Sequence, residues 1–343
     1  MTKVCNRVKK CKKEGKNPLA FSEIFSICAS VFLLALLLKN PTLVHKSVKK
    51  ALEQCASFLI PSLFPLMTVS EIITECGTVE YITRPFRKPL GKIFGVNKNA
   101  TPPYFLGLIG GYTTSVGSAI SLYKSERITK EDCERIIAFS TLPSLAFLTG
   151  FVGAGILESS TMGWILWILC IISSIIIALL EILINKIFRK KEGGNSSSNI
   201  ATGIFSSILF ERVPRKKPFS RIIVDAITHS ARAMLIICAC VVFFSALTEV
   251  LHYPLSALGI SEKAEKLILG SLELTNGITS LTELSAYKLK IVFCGFFIGW
   301  SGLCVHFQII ALCEDAGLSF KKYFVLKAIQ ALVCALLSFI VFM

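Results

Sequence analysis

Charged side chains are scarce in this sequence. Of its 343 residues, 17% are charged and 53% are apolar. Soluble domains average about 25% charged residues, so this composition argues against an ordinary soluble enzyme. Acidic residues are fewer than basic ones, with 22 Asp and Glu against 37 Lys and Arg. The basic residues stand in blocks between apolar runs, as in the cytoplasmic loops of membrane proteins. They do not form a stripe with interleaved aromatics, so we expect no nucleic-acid partner.

The sequence also lacks the motifs of metal and catalytic sites. It contains 13 cysteines, but no CxxC pair and no Cys/His ligand spacing, and the neighbours Cys238 and Cys240 have no partner pair. We therefore predict buried, reduced thiols, with no metal ion and no cofactor. No phosphate loop, nucleophile–base pair or paired acid and base is recognisable, so we predict that the protein is not an enzyme.

Long apolar runs are what the sequence has instead. A hydrocarbon core about 30 Å thick needs about 20 helical residues. The run after the basic N-terminus has no small-residue cleavage site behind it, which indicates an uncleaved first helix. The predicted full transmembrane helices are Phe21–Leu38, Ala51–Thr74, Ile136–Leu157, Met162–Leu183, Ala226–Val250, Lys290–Leu312 and Tyr323–Met343.

Two further apolar segments are rich in Gly, Ser and Thr, namely Phe105–Tyr123 and Leu267–Leu284. Their glycines and polar residues make both poor continuous spans. Non-helical backbone at membrane depth survives only where protein or a water-filled cavity satisfies it. We therefore predict two re-entrant or broken helices.

The two segments occupy matching positions in an internal repeat, in which Ala51 aligns with Ala226 without gaps. Each half continues with a helix that carries an interruption, Thr141–Ser144 or Gly299–Gly302, and closes with an apolar helix. The basic loops place the N-terminus inside, so the repeats run in opposite directions. The predicted fold is an all-α integral membrane protein of two inverted repeats, with about seven full spans and two broken segments. The predicted divisions are residues 1–50 (basic N-terminus and first helix), 51–187 (repeat 1), 188–221 (basic cytoplasmic linker) and 222–343 (repeat 2).

Interrupted segments at matching positions of inverted repeats indicate a transporter-type site, because a broken helix exposes N–H groups at one end and carbonyls at the other. The alternative is that Gly and Ser only permit close packing of helices. A charge at a helix centre costs about 2.5–3.5 kcal/mol, so Glu273 either binds a solute or caps the backbone of its break. For His306, a solute path and a buried core position are both open. The predicted substrate-binding residues are Glu273, Thr275, Asn276, His306, Gln308, Gly110, Gly111 and Tyr112.

Three stretches resemble a known family. They are GYTTSVGSAISLYKSERITKEDCERIIAFSTLPSLAFLTG, LELTNGITSL and GWSGLCVHFQ, and they are similar to the signatures of sporulation integral membrane proteins of the YlbJ type. These proteins belong with the nucleoside-recognition (Gate) domain proteins. The resemblance covers about residues 50–340. The positions that match are Gly111, Tyr112, Glu273, Thr275, Gly277, His306 and Gln308. The positions that depart from the pattern are Thr113, Ser115, Gly117, Thr141 and Leu142.

The resemblance implies two Gate-like repeats and a role in endospore formation in a Gram-positive bacterium. We expect a multi-pass plasma-membrane protein with a cytoplasmic N-terminus that recognises or transports a small polar solute, with nucleoside-like solutes among the candidates. The expected partners are the lipid bilayer, the solute, and either sporulation membrane proteins or further copies of the chain. The alternative function is a non-transporting scaffold for spore envelope assembly, whose basic linker docks partners.

Overall fold

The computed structural model describes residues 21–191, 218–284 and 286–342. Within these ranges the secondary structure is helical and no strand occurs, which confirms the all-α prediction. The basic N-terminus before residue 21 lies outside the described residues. So does most of the predicted linker 188–221, since residues 192–217 are not described.

Eleven helical elements cover the described residues, and the two parts of a broken helix share a number. The first half contains α1 (Phe21–Lys39), α2 (Pro41–Glu75), α3 (Thr78–Thr83), α4 (Arg87–Phe94), α5a (Pro102–Gly110), α5b (Tyr112–Lys124), α6a (Lys130–Ser140), α6b (Phe147–Ile156) and α7 (Ser160–Lys191). The second half contains α8 (Phe219–Ala257), α9a (Glu262–Leu272), α9b (Leu274–Ser280), α10a (Tyr287–Trp300), α10b (Leu303–Cys313) and α11 (Lys321–Phe342).

Four breaks interrupt these helices, each for a reason visible in the backbone. Break 1 is Gly111, with φ +84°, a conformation that glycine adopts without penalty. Break 2 is Thr141–Ser144, where Pro143 has no N–H and disfavours helix in the residue before it. Break 3 is Glu273, which is extended at φ −139° and ψ 120°. Break 4 is Ser301–Gly302, and both residues are left-handed. The order of long and broken helices is therefore the same in both halves.

Most of the predicted spans are confirmed. Five helices are long and apolar enough to cross a membrane: Pro41–Glu75, Ser160–Asn185, Phe219–Ala257, Tyr287–Cys313 and Lys321–Phe342. The breaks expected in Phe105–Tyr123 and Leu267–Leu284 are present as breaks 1 and 3.

Two of the seven predicted full spans differ from the structure. Ile136–Leu157 is not one helix, because break 2 separates α6a, of 11 residues, from α6b, of 10. Hydrophobicity alone therefore overestimated this span. Lys290–Leu312 is likewise divided, because break 4 separates α10a from α10b. The first predicted span, Phe21–Leu38, agrees with α1, which runs from Phe21 to Lys39. The predicted boundary at residue 51 also falls inside α2, which begins at Pro41.

The first long helices of the two halves, α2 and α8, run antiparallel. The Ser47 hydroxyl donates to the Ser245 carbonyl at 2.9 Å. Further along α2, the thiol of Cys55 contacts that of Cys238. Residue numbers therefore rise along α2 as their partners' numbers fall along α8.

The last helices of the two halves, α7 and α11, are related in the same way. Gln330 donates to the Ser173 hydroxyl at 3.4 Å, and further along α7 Glu181 pairs with Lys322 at the start of α11. Equivalent helices of the two halves thus oppose each other in direction. The inverted repeat itself stays a prediction, which this geometry supports.

The outer surface of the long helices is apolar. Leu235 on α8 is 72% exposed and Leu332 on α11 is 64% exposed. Soluble monomers rarely expose apolar patches of more than a few hundred Å². This surface is suited to contact with lipid acyl chains, and it leaves the polar side chains of the breaks for the interior.

Candidate functional site

The four breaks meet at one cavity. Its walls include Gly111 from break 1, Ser144 from break 2, Glu273 from break 3 and Ser301 from break 4. Apolar side chains of the two antiparallel helices α2 and α8 close the remaining sides. They are Leu59, Leu63, Met67, Ile237 and Val241.

Within each half, the two breaks touch closely. A Cβ on Gly111 would lie 3.4 Å from the Cβ of Ser144, and one on Gly302 would lie 2.9 Å from the backbone nitrogen of Leu274. Both glycines also have positive φ. A side chain at Gly302 would therefore push its two breaks apart. At Gly111 a Cβ would make only an ordinary contact, and the positive φ is what favours glycine there.

One hydrogen bond crosses the cavity between the halves. The Tyr112 hydroxyl donates to Oε1 of Gln308 at 2.7 Å, and the Gln308 amide donates to the sulfur of Cys304 at 3.2 Å. Tyr112 begins α5b directly after break 1, whereas Gln308 lies on α10b after break 4. The predicted pair of residues is thus brought together, and it links the two halves.

Glu273 caps the helix that follows its own break. Its Oε1 accepts from the Thr275 N–H at 2.8 Å and its Oε2 from the Asn276 N–H at 2.6 Å. The side chain is 2% exposed. Both carboxylate oxygens therefore satisfy backbone donors at the start of α9b, where a helix favours negative charge. This is the capping alternative stated for Glu273, at a position that also lines the cavity.

Six of the eight predicted site residues line the cavity: Gly110, Gly111, Tyr112, Glu273, Thr275 and Gln308. The other two lie elsewhere. The Asn276 amide donates to the Ser245 hydroxyl on α8 at 2.6 Å. The His306 ring lies 2.8 Å from the Tyr323 hydroxyl and packs on Trp300 and Phe324. His306 is therefore a buried residue that contacts α11 and does not line the cavity.

The cavity has a volume of about 50 Å³. Since one water needs about 10–15 Å³ of such space, it holds a few water molecules. A larger solute would enter only if the walls moved apart. Among the described residues, no group of three or more His, Cys, Asp or Glu side chains could hold a metal ion.

The prediction missed Lys327, a fully buried lysine on α11. Its ammonium donates to the Thr141 carbonyl in break 2 at 2.8 Å and to Oε1 of Gln330 at 2.9 Å. The signal was present, because an ionisable residue inside an apolar span is by itself a candidate for function. Ser144 and Ser301 were also left out, although both lie in the two interruptions identified from the sequence.

One curated relative matches nearly the whole chain. The sporulation integral membrane protein YlbJ of Bacillus subtilis (strain 168) is 22% identical over 329 residues, which cover 89% of this chain and 79% of that protein. The chain is YlbJ-like. The resemblance to YlbJ-type proteins is thereby confirmed, whereas the Gate-domain grouping stays a prediction. The chain is a multi-pass, all-helical integral membrane protein. No family model and no solved structure matches this YlbJ-like chain.

Proposed function

We propose that this YlbJ-like protein recognises and moves a small polar solute through the cavity between its four breaks. The single observation that supports this proposal is the convergence of all four breaks, two from each half, on one cavity. Broken helices at the midplane, at matching positions of oppositely directed halves, are the arrangement by which many secondary transporters bind solutes. The two repeats would then be of the Gate type, with nucleoside-like solutes as candidates.

Most of the cavity lining is apolar, and its few polar groups would bind hydroxyl or amide groups of a neutral solute. Tyr112 and Gln308 supply a hydroxyl and an amide, and Ser144 and Ser301 supply hydroxyls at the breaks. Glu273 has both oxygens occupied by backbone N–H groups, so its role is to fix the start of α9b at the cavity wall. The protein carries out no covalent chemistry in this proposal.

The role in the cell follows from the relative. YlbJ is named a sporulation integral membrane protein, so we propose a role in sporulation for this chain. From the placement of its basic blocks we also propose a plasma-membrane location and a cytoplasmic N-terminus. Its partners would be the bilayer, the solute, and sporulation membrane proteins or further copies of the chain.

Flux through reconstituted vesicles tests transport. Vesicles carrying the full chain are incubated with uridine and, separately, with a metabolite extract of sporulating cells, and mass spectrometry identifies what enters. We expect Glu273→Ala and Tyr112→Phe to abolish uptake without loss of membrane insertion. The matched control is Leu235→Ala, on the exposed face of α8, which should retain uptake. If no compound enters, or if flux through the Glu273 variant is unchanged, the proposal is wrong.

A second candidate function, a non-transporting scaffold for spore envelope assembly, is favoured by the capping of Glu273. A carboxylate whose oxygens both bind backbone is what a purely structural break needs. To separate the two functions, residues 193–199 of the linker, which lie outside the described residues, and Glu273 are replaced independently in a sporulating host. If only the linker replacement lowers spore yield, the scaffold is correct.

A further inference from the structure

Lys327 is an unusual residue because a lysine is buried without an acidic partner. Its side chain is 0% exposed, and it lies about 8 Å deeper along α11 than Lys322, at 1.5 Å per residue. In the part of the chain that the structure describes, no ion pair joins Lys327 to a carboxylate. Both oxygens that its ammonium contacts are neutral. A buried ammonium in such a setting requires a specific function.

The first contact of Lys327 crosses between the two halves of the protein. The acceptor is the carbonyl of Thr141, the residue that terminates α6a. The last carbonyls of a helix have no intrahelical donor. A cation at this helix end is also favoured by the helix dipole. The lysine therefore satisfies a backbone group that break 2 leaves open.

The same face of α11 also contacts the helix that follows break 4. Tyr323 lies one turn before Lys327 and its hydroxyl contacts His306, in the first turn of α10b after break 4. Gln330, one turn beyond Lys327, holds the ammonium from its own helix and donates to Ser173 on α7. Three successive polar positions on one helix thus connect the second breaks of both halves.

Breaks 2 and 3 are held by charges of opposite sign. Glu273 caps the N-terminus of α9b, where a helix prefers an anion, and Lys327 caps the C-terminus of α6a, where a helix prefers a cation. Both helix ends border the cavity, through Thr275 after break 3 and through Pro143 and Ser144 after Thr141. Each sign matches the helix end that it contacts.

We propose that Lys327 is a positioning residue: its charged bond to the Thr141 carbonyl, made from the opposite half, fixes break 2 in place at the cavity. Lys327 does not line the cavity and does not touch the solute. It acts through the end of α6a, which sets the position of Ser144. This proposal rests on the proposed function in one respect, that break 2 is part of a transport site. The contact between Lys327 and the Thr141 carbonyl does not depend on that function.

Amide hydrogen exchange of the full chain in lipid nanodiscs tests the proposal without any solute. Lys327→Met removes both the charge and the bond, and Lys327→Gln keeps a polar group without the charge. Loss of a charged hydrogen bond should speed exchange in peptides covering residues 137–147 at least about tenfold. Lys327→Arg, which retains the charge, should restore exchange to within about threefold of the parent, a change of under 1 kcal/mol. The reference is the peptide at residues 270–280 around break 3, which Glu273 rather than Lys327 holds and which should stay unchanged in every variant.

Three results would overturn the proposal. Unchanged exchange near break 2 in both neutral variants overturns the proposal. Equal acceleration at both peptides also overturns it, because that result indicates general loosening. If Lys327→Arg exchanges as fast as the neutral variants, charge is not what holds the break, and the proposal is again wrong. If Lys327→Met fails to fold, comparing Lys327→Gln with Lys327→Arg tests the same point. Absence of solute flux in vesicles would remove the transport proposal and leave this one standing.

Discussion

Tyr112 and Gln308 join the two halves of the protein directly across the cavity, with 2.7 Å between the hydroxyl and Oε1. The two residues are separated by 196 positions in the sequence, yet each lies within two turns of a helix break. Any motion that opens the cavity between the halves has to break this bond. The bond is therefore the contact to measure first.

Removal of the Tyr112 hydroxyl should lower stability measurably. Tyr112→Phe leaves the Gln308 oxygen unpaired in the interior, and we expect a loss of about 1–2 kcal/mol. In a double-mutant cycle with Gln308→Leu, the coupling energy should be about 1 kcal/mol. Thermal unfolding in detergent measures both. Tyr287→Phe, at an exposed position on α10a, is the matched control and should have no effect; a coupling energy near zero would contradict the crossing bond.

The breaks could be predicted from the sequence, whereas the orientation of side chains around them could not. Adjacent Gly110 and Gly111, and Pro143 within an apolar run, are local signals that favour an interruption, although α2 continues through Pro61 and Pro65. Gln308 and His306 are two residues apart on one helix, so they point about 200° apart. Which of them faces the cavity depends on the rotation of α10b, and that is set by packing of His306 against Tyr323 and Trp300. The sequence contains no local signal for this rotation.

Glu273 should be sensitive to the loss of a single oxygen. Glu273→Gln keeps one acceptor for the N-terminus of α9b and Glu273→Ala keeps none. Because each buried N–H without an acceptor costs about 1–3 kcal/mol, we expect stability to fall in the order Glu, Gln, Ala. Chemical unfolding in mixed micelles measures the series. Equal stability of all three would show that the two backbone bonds are not the role of this carboxylate.

Ser301 is strained in the native structure, and glycine there should stabilise the protein. Its φ is +73°, which costs about 1–3 kcal/mol for a residue with a Cβ. Part of that gain is offset by the greater freedom of glycine in the unfolded chain, so Ser301→Gly should raise the free energy of unfolding by about 1 kcal/mol. The same change at Ser121, an exposed position within α5b, should lower it by about 0.5–1 kcal/mol. A destabilising Ser301→Gly would contradict the strain.

The carboxylate of Glu181 holds three helices together at one end of the molecule. It pairs with Arg135 on α6a at 3.3 Å and with Lys322 on α11, and it is only 5% exposed. Because the side chains of Lys322 and Arg135 are 53% and 20% exposed, both cations stay solvated when the carboxylate is removed, and Glu181→Gln should cost about 1–2 kcal/mol. Glu262, which pairs with Lys266 but is 78% exposed, is the control. Its Gln variant should unfold at the same temperature as the parent protein. Similar effects of the two variants would count against a buried network.

The opposed directions of the two halves can be tested with cysteines that the chain already has. The thiols of Cys55 and Cys238 touch, as do those of Cys170 and Cys334, and each pair joins one half to the other. The other cysteines are replaced, one pair is kept at a time, and a protease site is inserted at residues 193–199. Oxidation with copper phenanthroline followed by cleavage should leave the halves joined on a non-reducing gel for either pair. A protein that keeps only Cys55 and Cys334 should separate, because Cys55 contacts Cys238 whereas Cys334 contacts Cys170. If the contacting pairs also separate, the contacts of α2 with α8 and of α7 with α11 are absent in the membrane, and the inverted repeat loses its support.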